Sequence, residues 1–160
     1  MTKILGIDPG TKRVGYGLIE VNKKGQFQAL DFGCLETKLK DEGEILEEIF
    51  QKISQLLKKH RPDLMALEKL FFFKNHKTAF QVSQARGVII LAGQNQKIPI
   101  FQPTPLEIKV CLTGYGRAEK QQVALMVKNA LKLEKIPKLD DTTDALACAI
   151  AGHYLRKLKN

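Results

Sequence analysis

Short apolar runs that end in a carboxylate constrain the fold of this chain more than any other feature. Ile4–Ile7 is followed directly by Asp8, and Leu64–Leu67 is followed directly by Glu68. An apolar run of four residues between turn or charged residues is short for a buried helix and predicts a buried strand. Each of the two predicted strands would therefore place one acid at its carboxyl end.

The rest of the chain adds elements in an order that predicts an α/β fold. The turn Asp8–Thr11 leads into a second strand and Gly25 into a third, which predicts an antiparallel meander. Helices and strands then alternate, which favours parallel pairing in a five-stranded mixed sheet flanked by helices. The predicted strands are at 3–8, 13–21, about 27–34, 63–68 and about 98–101, and the predicted helices are at 42–59, about 76–95, 105–110, 118–133 and 142–157.

This topology predicts that the two strand-end acids share one edge of the sheet. If the strand at 63–68 is parallel to the first strand, Asp8 and Glu68 emerge at the same carboxyl edge, where open α/β sheets form their sites. Each acid also has a structural explanation on its own. Asp8 precedes Pro-Gly in a strong turn signal, and Glu68 could be a solvated strand end.

A second pair of acids opens the last predicted helix. Asp141 and Asp144 are three residues apart and therefore share one helix face. The structural alternative is that Asp140 or Asp141 is a helix N-cap. Small side chains further along the same face would let the helix lie close to the sheet and bring its acidic first turn towards the other acids. These small residues are Ala145, Cys148 and Gly152.

The predicted group of four carboxylates indicates a metal site. Clustered carboxylates repel one another, and bound divalent cations relieve that repulsion. Ligands that are all oxygen favour hard ions such as Mg²⁺ or Mn²⁺ over zinc. Two such ions about 4 Å apart can activate a water and stabilise a leaving oxygen in phosphodiester cleavage.

The charge of the chain indicates a polyanionic partner. The formal net charge is +9 at pH 7, and the stretch 69–106 contains five basic residues and no Asp or Glu. Such a distribution is typical of nucleic-acid binding, although a solvated basic face is the alternative. An acidic cluster in a basic chain therefore predicts metal-dependent chemistry on a nucleic acid.

Length and composition narrow the class further. The 160 residues predict one domain. The three cysteines are far apart and fit no zinc spacing, which predicts buried thiols in a reducing cytoplasm. We expect no membrane span and no secretory signal at the N-terminus. The chain lacks the phosphate-binding signature of P-loop proteins, and its first glycines lead into a strand, which a dinucleotide-binding motif does not do.

Five segments together resemble the successive motifs of the RuvC family of Holliday-junction resolvases. They occur in order as GIDPGTKRVGYG, ALEKLFFFKN, QARG, AEKQQV and DDTTDALACAI, and the resemblance runs from about residue 3 to 154. The resemblance implies a ribonuclease H-like fold and a single RuvC-type nuclease domain over residues 1–160. It also implies symmetric, metal-dependent hydrolysis of four-way DNA junctions in recombination and repair.

The resemblance assigns roles to the acids. It implies that the catalytic residues and metal ligands are Asp8, Glu68, Asp141 and Asp144. The implied cofactor is Mg²⁺, for which Mn²⁺ could substitute, with two ions per site. Asp140 is then an N-cap or an acid that supports the ligands.

The resemblance also implies DNA contacts. Lys109 and Lys120 match the basic residues of the family near the junction, and Arg117 should lie close to them. Phe71 matches an aromatic residue that stacks or wedges at the opened junction, although Phe72 or Phe73 could act instead. The remaining predicted DNA contacts are Lys74, Lys77 and Arg86.

Family membership would imply a homodimer acting on four-way junction DNA, and the RuvA–RuvB branch-migration complex as a partner. The apolar helix at 76–95 is the candidate dimer element, with burial inside one subunit as the alternative. Three other functions stay open: a YqgF-like nuclease acting on RNA, an actin-like ATPase domain, and a junction-binding module without catalysis. Metal-dependent cleavage would separate the resolvase from the last of these.

Overall fold

The computed structural model describes residues 1–69 and 76–159, and for residues 76–78, 157 and 159 it describes the backbone alone. The strands are β1 (Thr2–Asp8), β2 (Arg13–Val21), β3 (Phe27–Glu36), β4 (Leu64–Leu67) and β5 (Ile100–Phe101). The helices are α1 (Glu42–His60), α2 (His76–Asn95), α3 (Pro105–Thr113), α4 (Lys120–Leu131) and α5 (Asp140–Lys159).

The five strands form one mixed sheet in the order β3-β2-β1-β4-β5. The pairs β1–β2 and β2–β3 are antiparallel, whereas β1–β4 and β4–β5 are parallel. The predicted α/β fold with a five-stranded mixed sheet is therefore confirmed. In the parallel pair Ile7 is opposite Leu67, and the amide of Glu68 donates to the carbonyl of Ile7 at 3.3 Å. This register sets Asp8 and Glu68 side by side at the edge of the sheet.

The helices cover both faces of the sheet and bury two separate cores. Successive residues of β1 point to opposite faces, so Ile4 packs into one core while Leu5 and Ile7 pack into the other. The first core lies against α3, α4 and α5, and the second lies against α1 and α2. Helix α5 packs against the first core. On that face of the sheet its acidic first turn can reach the carboxyl edge.

Glycines in the first two strands let α5 lie unusually close to the sheet. A Cβ added to Gly6 would lie 2.0 Å from the carbonyl oxygen of Ala145. A Cβ added to Gly15 would lie 1.9 Å from the carbonyl oxygen of Asp141. Both distances are far inside van der Waals contact, so only glycine allows the observed separation of strand and helix.

Caps fix where α3 begins and where it ends. Thr104 and Glu107 form a capping box at the start of α3, where each side chain bonds the backbone of the other residue. Gly114, with φ of 73°, ends this helix in the left-handed conformation. The α3 helix thus extends three residues beyond the predicted end at Val110.

Two details of the sequence reading are corrected. The N-cap alternative for Asp140 is wrong, because α5 begins at Asp140 and the carbonyl of Leu139 accepts the first helical hydrogen bonds. Only one of the three cysteines is fully buried, namely Cys148, whereas Cys34 and Cys111 are partly exposed. None of the three forms a disulfide. No helix within the described ranges is long and apolar enough to cross a membrane.

Candidate active site

The four predicted acids interact at the carboxyl edge of the sheet, and Asp8 lies at their centre. Burial, followed by the negative charges of Glu68, Asp144 and Asp141, raises the pKa of Asp8 to about 8. Three elements supply the four acids, because Asp8 ends β1, Glu68 follows β4, and Asp141 and Asp144 lie in the first five residues of α5. The fold therefore brings together all four residues that the sequence selected.

Glu68 shares this electrostatic environment. Burial is the main cause that raises the pKa of Glu68 to about 7, and the charge of Asp144 adds to it. A hydrogen bond with Asp8 and the positive charges of Lys120 and Lys109 act in the opposite direction. At neutral pH a proton is thus retained between the two strand-end carboxyls, as expected of adjacent acids that cannot both ionise at low cost.

The acids of α5 are neutralised by cations from two other elements. Lys120, the first residue of α4, places Nζ 3.5 Å from Asp144 Oδ2 and 3.7 Å from Asp140 Oδ2. Arg13, the first residue of β2, places Nη1 3.6 Å from Asp141 Oδ2. Burial raises the pKa of Asp144, and Lys120 opposes that rise.

A small cavity joins the acids to the basic residues of α3 and α4. Its volume is about 210 Å³. The acids Glu68 and Asp144 line it, and so do the lysines Lys109 and Lys120. The charge of Asp144 is the main cause that raises the pKa of Lys120, so this lysine stays protonated beside the acids. The cavity thus presents both carboxylate oxygens and ammonium groups to whatever enters it.

The donor set suits a hard divalent cation, although it is not a ready-made ion site. Among the residues that the structure describes, no group of three or more His, Cys, Asp or Glu side chains converges closely enough to hold a metal ion. The oxygen-only donors and the repulsion that raises the pKa of Asp8 and Glu68 nevertheless fit an ion such as Mg²⁺. Binding would require the side chains to turn inwards and to release Arg13 and Lys120.

The predicted DNA contacts fall into three groups. Lys109 and Lys120 lie beside the acids, and exposed Arg117 lies three residues before the start of α4. Arg86 lies on α2, where its guanidinium donates to Gln102 and burial lowers its pKa. This arginine is therefore committed partly to internal structure. Phe71, Lys74 and the side chain of Lys77 lie outside the described residues, and so do Phe72 and Phe73.

The sequence reading missed Arg13. It lies within the first motif, GIDPGTKRVGYG, but nothing in its spacing indicated a contact with the last helix. The signal that could have found it is the alternation of β2. Val14 is buried in the core on the α1–α2 side, so Arg13 must face the side on which α5 lies.

Comparison with known proteins identifies the family of the chain. The family model described as crossover junction endodeoxyribonuclease RuvC matches residues 4–153. The chain belongs to the RuvC family. A member from Petrotoga mobilis is 49% identical over 160 residues, covering 98% of this chain and 97% of the relative. A member from Fusobacterium nucleatum is 48% identical over 149 residues, covering 92% of this chain and 78% of the relative.

The fold agrees with a solved RuvC structure as well. Thermus thermophilus RuvC, solved in complex with a Holliday junction substrate, superposes with a TM-score of 0.93 at 28% sequence identity. The match covers 99% of this chain and 97% of the Thermus chain. Membership of the RuvC family is thereby supported by sequence and by fold.

Proposed function

We propose that this protein resolves four-way DNA junctions by metal-dependent hydrolysis of two phosphodiester bonds, one in each of two like strands. The observation that carries the proposal is the meeting of four acids from β1, β4 and α5 beside two lysines. Family membership supplies the substrate class, because a relative of the same fold was solved with a Holliday junction. The whole of residues 1–160 would act as one nuclease domain.

The acids and the lysines would have different roles: the acids would hold the metal ions, and the lysines would bind phosphates. Asp8, Glu68, Asp141 and Asp144 would hold two Mg²⁺ ions, with Mn²⁺ as a substitute. Such ions activate a water and stabilise the leaving 3′ or 5′ oxygen when they are bound. Among the acids, Asp8 and Glu68 must lose their shared proton first, and the high pKa values make that loss favourable only when positive charge arrives.

The basic residues would bind the phosphates of the cleaved strand. Lys120 lies against Asp144, so a phosphate that crosses the acids would meet its ammonium group within the same cavity. Lys109 lines the other part of that cavity and would contact the next phosphate. Arg117 is exposed three residues before Lys120 and would extend the contact along the strand. Phe71, Lys74, Lys77 and Arg86 remain proposed contacts to the opened junction.

A homodimer would place two such sites on two strands, and α2 is its proposed interface. Phe80 is 69% exposed and Leu91 is 52% exposed. They are 11 residues apart, which sets them on one helix face. Between them, Gly87 has open space where a Cβ would be. A glycine inside a helix lowers the stability of that helix, and close packing of a partner helix would offset the loss, which favours helix-to-helix packing here.

We further infer a cytoplasmic role in DNA repair with RuvA–RuvB as partner.

The deciding experiment is strand cleavage of a synthetic four-way junction beside a matched linear duplex, with Mg²⁺, Mn²⁺ or EDTA. Paired symmetric nicks on the junction alone, absent in EDTA, are expected. Asp8→Asn is the matched variant, because it keeps the size of the side chain and removes one anionic ligand. Binding of the junction without nicking in either metal would instead favour a module that binds and does not cleave.

A further inference from the structure

Arg13 is a cation at the acids to which the proposed chemistry gives no role. Its Nη1 lies 3.6 Å from Asp141 Oδ2, and its side chain is 51% exposed, against 32% for Asp141. The backbone of Asp141 is fixed in place because it rests directly on Gly15, two residues after Arg13. The guanidinium is thus attached to the carboxylate on one side and open to solvent on the other.

The order of the strands places Arg13 and the lysines at opposite ends of the row of acids. Along the sheet, β2 carries Arg13, β1 carries Asp8, and β4 is followed by Glu68. Beyond them, β5 leads to α3 with Lys109. A strand that crosses the acids along this row would meet Lys109 at one end and Arg13 at the other. None of the residues that the proposed chemistry places beside the acids would bind the DNA phosphate on the β2 side.

We propose that Arg13 exchanges Asp141 for a DNA phosphate when a divalent cation binds, an inference that rests on the proposed function. Before the ion binds, Arg13 neutralises Asp141. Once the ion takes the carboxylate, the positive charge of Arg13 is repelled by the ion and its partner is lost. The guanidinium then turns to the backbone phosphate on the β2 side, which its planar fork can bind through two hydrogen bonds.

This exchange makes Arg13 a positioning residue with two opposite effects. Without DNA it competes with the ion for Asp141, so its removal should tighten metal binding. With the ion bound it holds DNA, so its removal should weaken DNA binding. A residue that merely stabilised the fold would not shift these two affinities in opposite directions.

The metal arm of the test measures Mn²⁺ binding to the full chain without DNA, by calorimetry or electron paramagnetic resonance. Arg13→Gln should bind Mn²⁺ about two- to five-fold more tightly, which is the strength of a partly exposed ion pair expressed as an affinity. Arg13→Lys keeps the charge and should return the affinity to that of the wild type. The control is Arg61→Gln, which removes one exposed charge at the C-cap of α1, at the opposite edge of the sheet.

The DNA arm measures how salt weakens binding of a four-way junction, in Ca²⁺ and in EDTA. In Ca²⁺, the slope of log K against log salt for Arg13→Gln should be smaller by about one than for the wild type, because one phosphate contact is lost. In EDTA the two slopes should agree, since Arg13 then remains paired with Asp141. Arg61→Gln should match the wild type in both conditions.

Unchanged or weaker Mn²⁺ binding in Arg13→Gln would overturn the exchange, and so would equal slopes in Ca²⁺. A slope that falls equally in Ca²⁺ and EDTA would also overturn it, because it would mean that Arg13 binds DNA without leaving Asp141. Failure of the proposed function itself would give a different experimental result from failure of the exchange. The wild-type protein would then bind junction and linear duplex equally, whereas the Mn²⁺ comparison would still decide whether Arg13 competes for Asp141.

Discussion

The crowded carboxylates should make the metal-free protein less stable as the pH rises. The pKa of Asp8 is about 8 in the folded protein, whereas its ordinary value is 3.8. Between these values the folded state keeps a proton that the unfolded state has lost, so deprotonation favours unfolding. The stabilising preference for the neutral form is therefore complete below pH 3.8 and is lost as the pH rises to about 8.

The size of the effect follows from the difference between the two pKa values. At about 1.4 kcal/mol for each pH unit, the difference corresponds to a ceiling of about 6 kcal/mol. The surrounding acids can turn towards solvent, so we expect about 2–4 kcal/mol in practice. Asp8→Asn removes the titrating group while keeping its shape. Its gain in unfolding free energy over the wild type should therefore be larger at pH 8.5 than at pH 4.5 by about 2–4 kcal/mol.

Urea denaturation in EDTA at the two pH values measures this difference. Glu134→Gln is the control, because it removes an exposed acid between α4 and α5 and should alter the stability equally at both pH values. Added Mg²⁺ should remove most of the loss of wild-type stability at pH 8.5 and should help Asp8→Asn less. If the gain from Asp8→Asn is the same at pH 4.5 and pH 8.5, burial and the neighbouring acids do not raise the pKa of Asp8 as described.

Three further predictions concern catalysis and DNA binding. Asp8→Asn should lower junction cleavage at least 100-fold, by about 3 kcal/mol or more of transition-state stabilisation, and leave junction binding in a gel-shift assay within about two-fold; joint loss of both would contradict its role as a metal ligand. Lys120→Ala should weaken junction binding and lower the salt slope by about one, whereas an unchanged slope in a salt titration would remove it from the interface. Phe71→Ala should slow single-turnover cleavage more than it weakens binding, and a larger effect of Phe72→Ala would assign the wedge to the neighbouring ring.

The sequence predicted the sheet and the acids well because both depend on local patterns. The short apolar run before Asp8 fits only a buried strand, and the same holds for the run before Glu68. Parallel pairing of those strands then fixes where both acids emerge. The start of α5 was predicted two residues late, because Asp140 is equally suited to a cap and to a first helical turn.

Contacts between segments that are far apart in the sequence could not be predicted from it. The pairing of Arg13 with Asp141 joins residues 128 positions apart, and it depends on how closely α5 rests on β2. Likewise, nothing in the sequence indicated that the Arg86 guanidinium is partly buried and donates to Gln102. Charge can be read from a sequence, whereas the partner of that charge is decided by packing.

The glycines beneath α5 imply that part of the geometry of the proposed active site depends on the absence of side-chain atoms at Gly6 and Gly15. One methyl group at Gly15 would have to displace the main chain of Asp141, and one at Gly6 would displace that of Ala145. A survey that mutates only charged residues would never detect this dependence, because it would leave both glycines unchanged. Engineering that seeks new metal or sequence preferences can therefore vary the residues around the acids, but it must leave the spacing set by these two glycines unchanged.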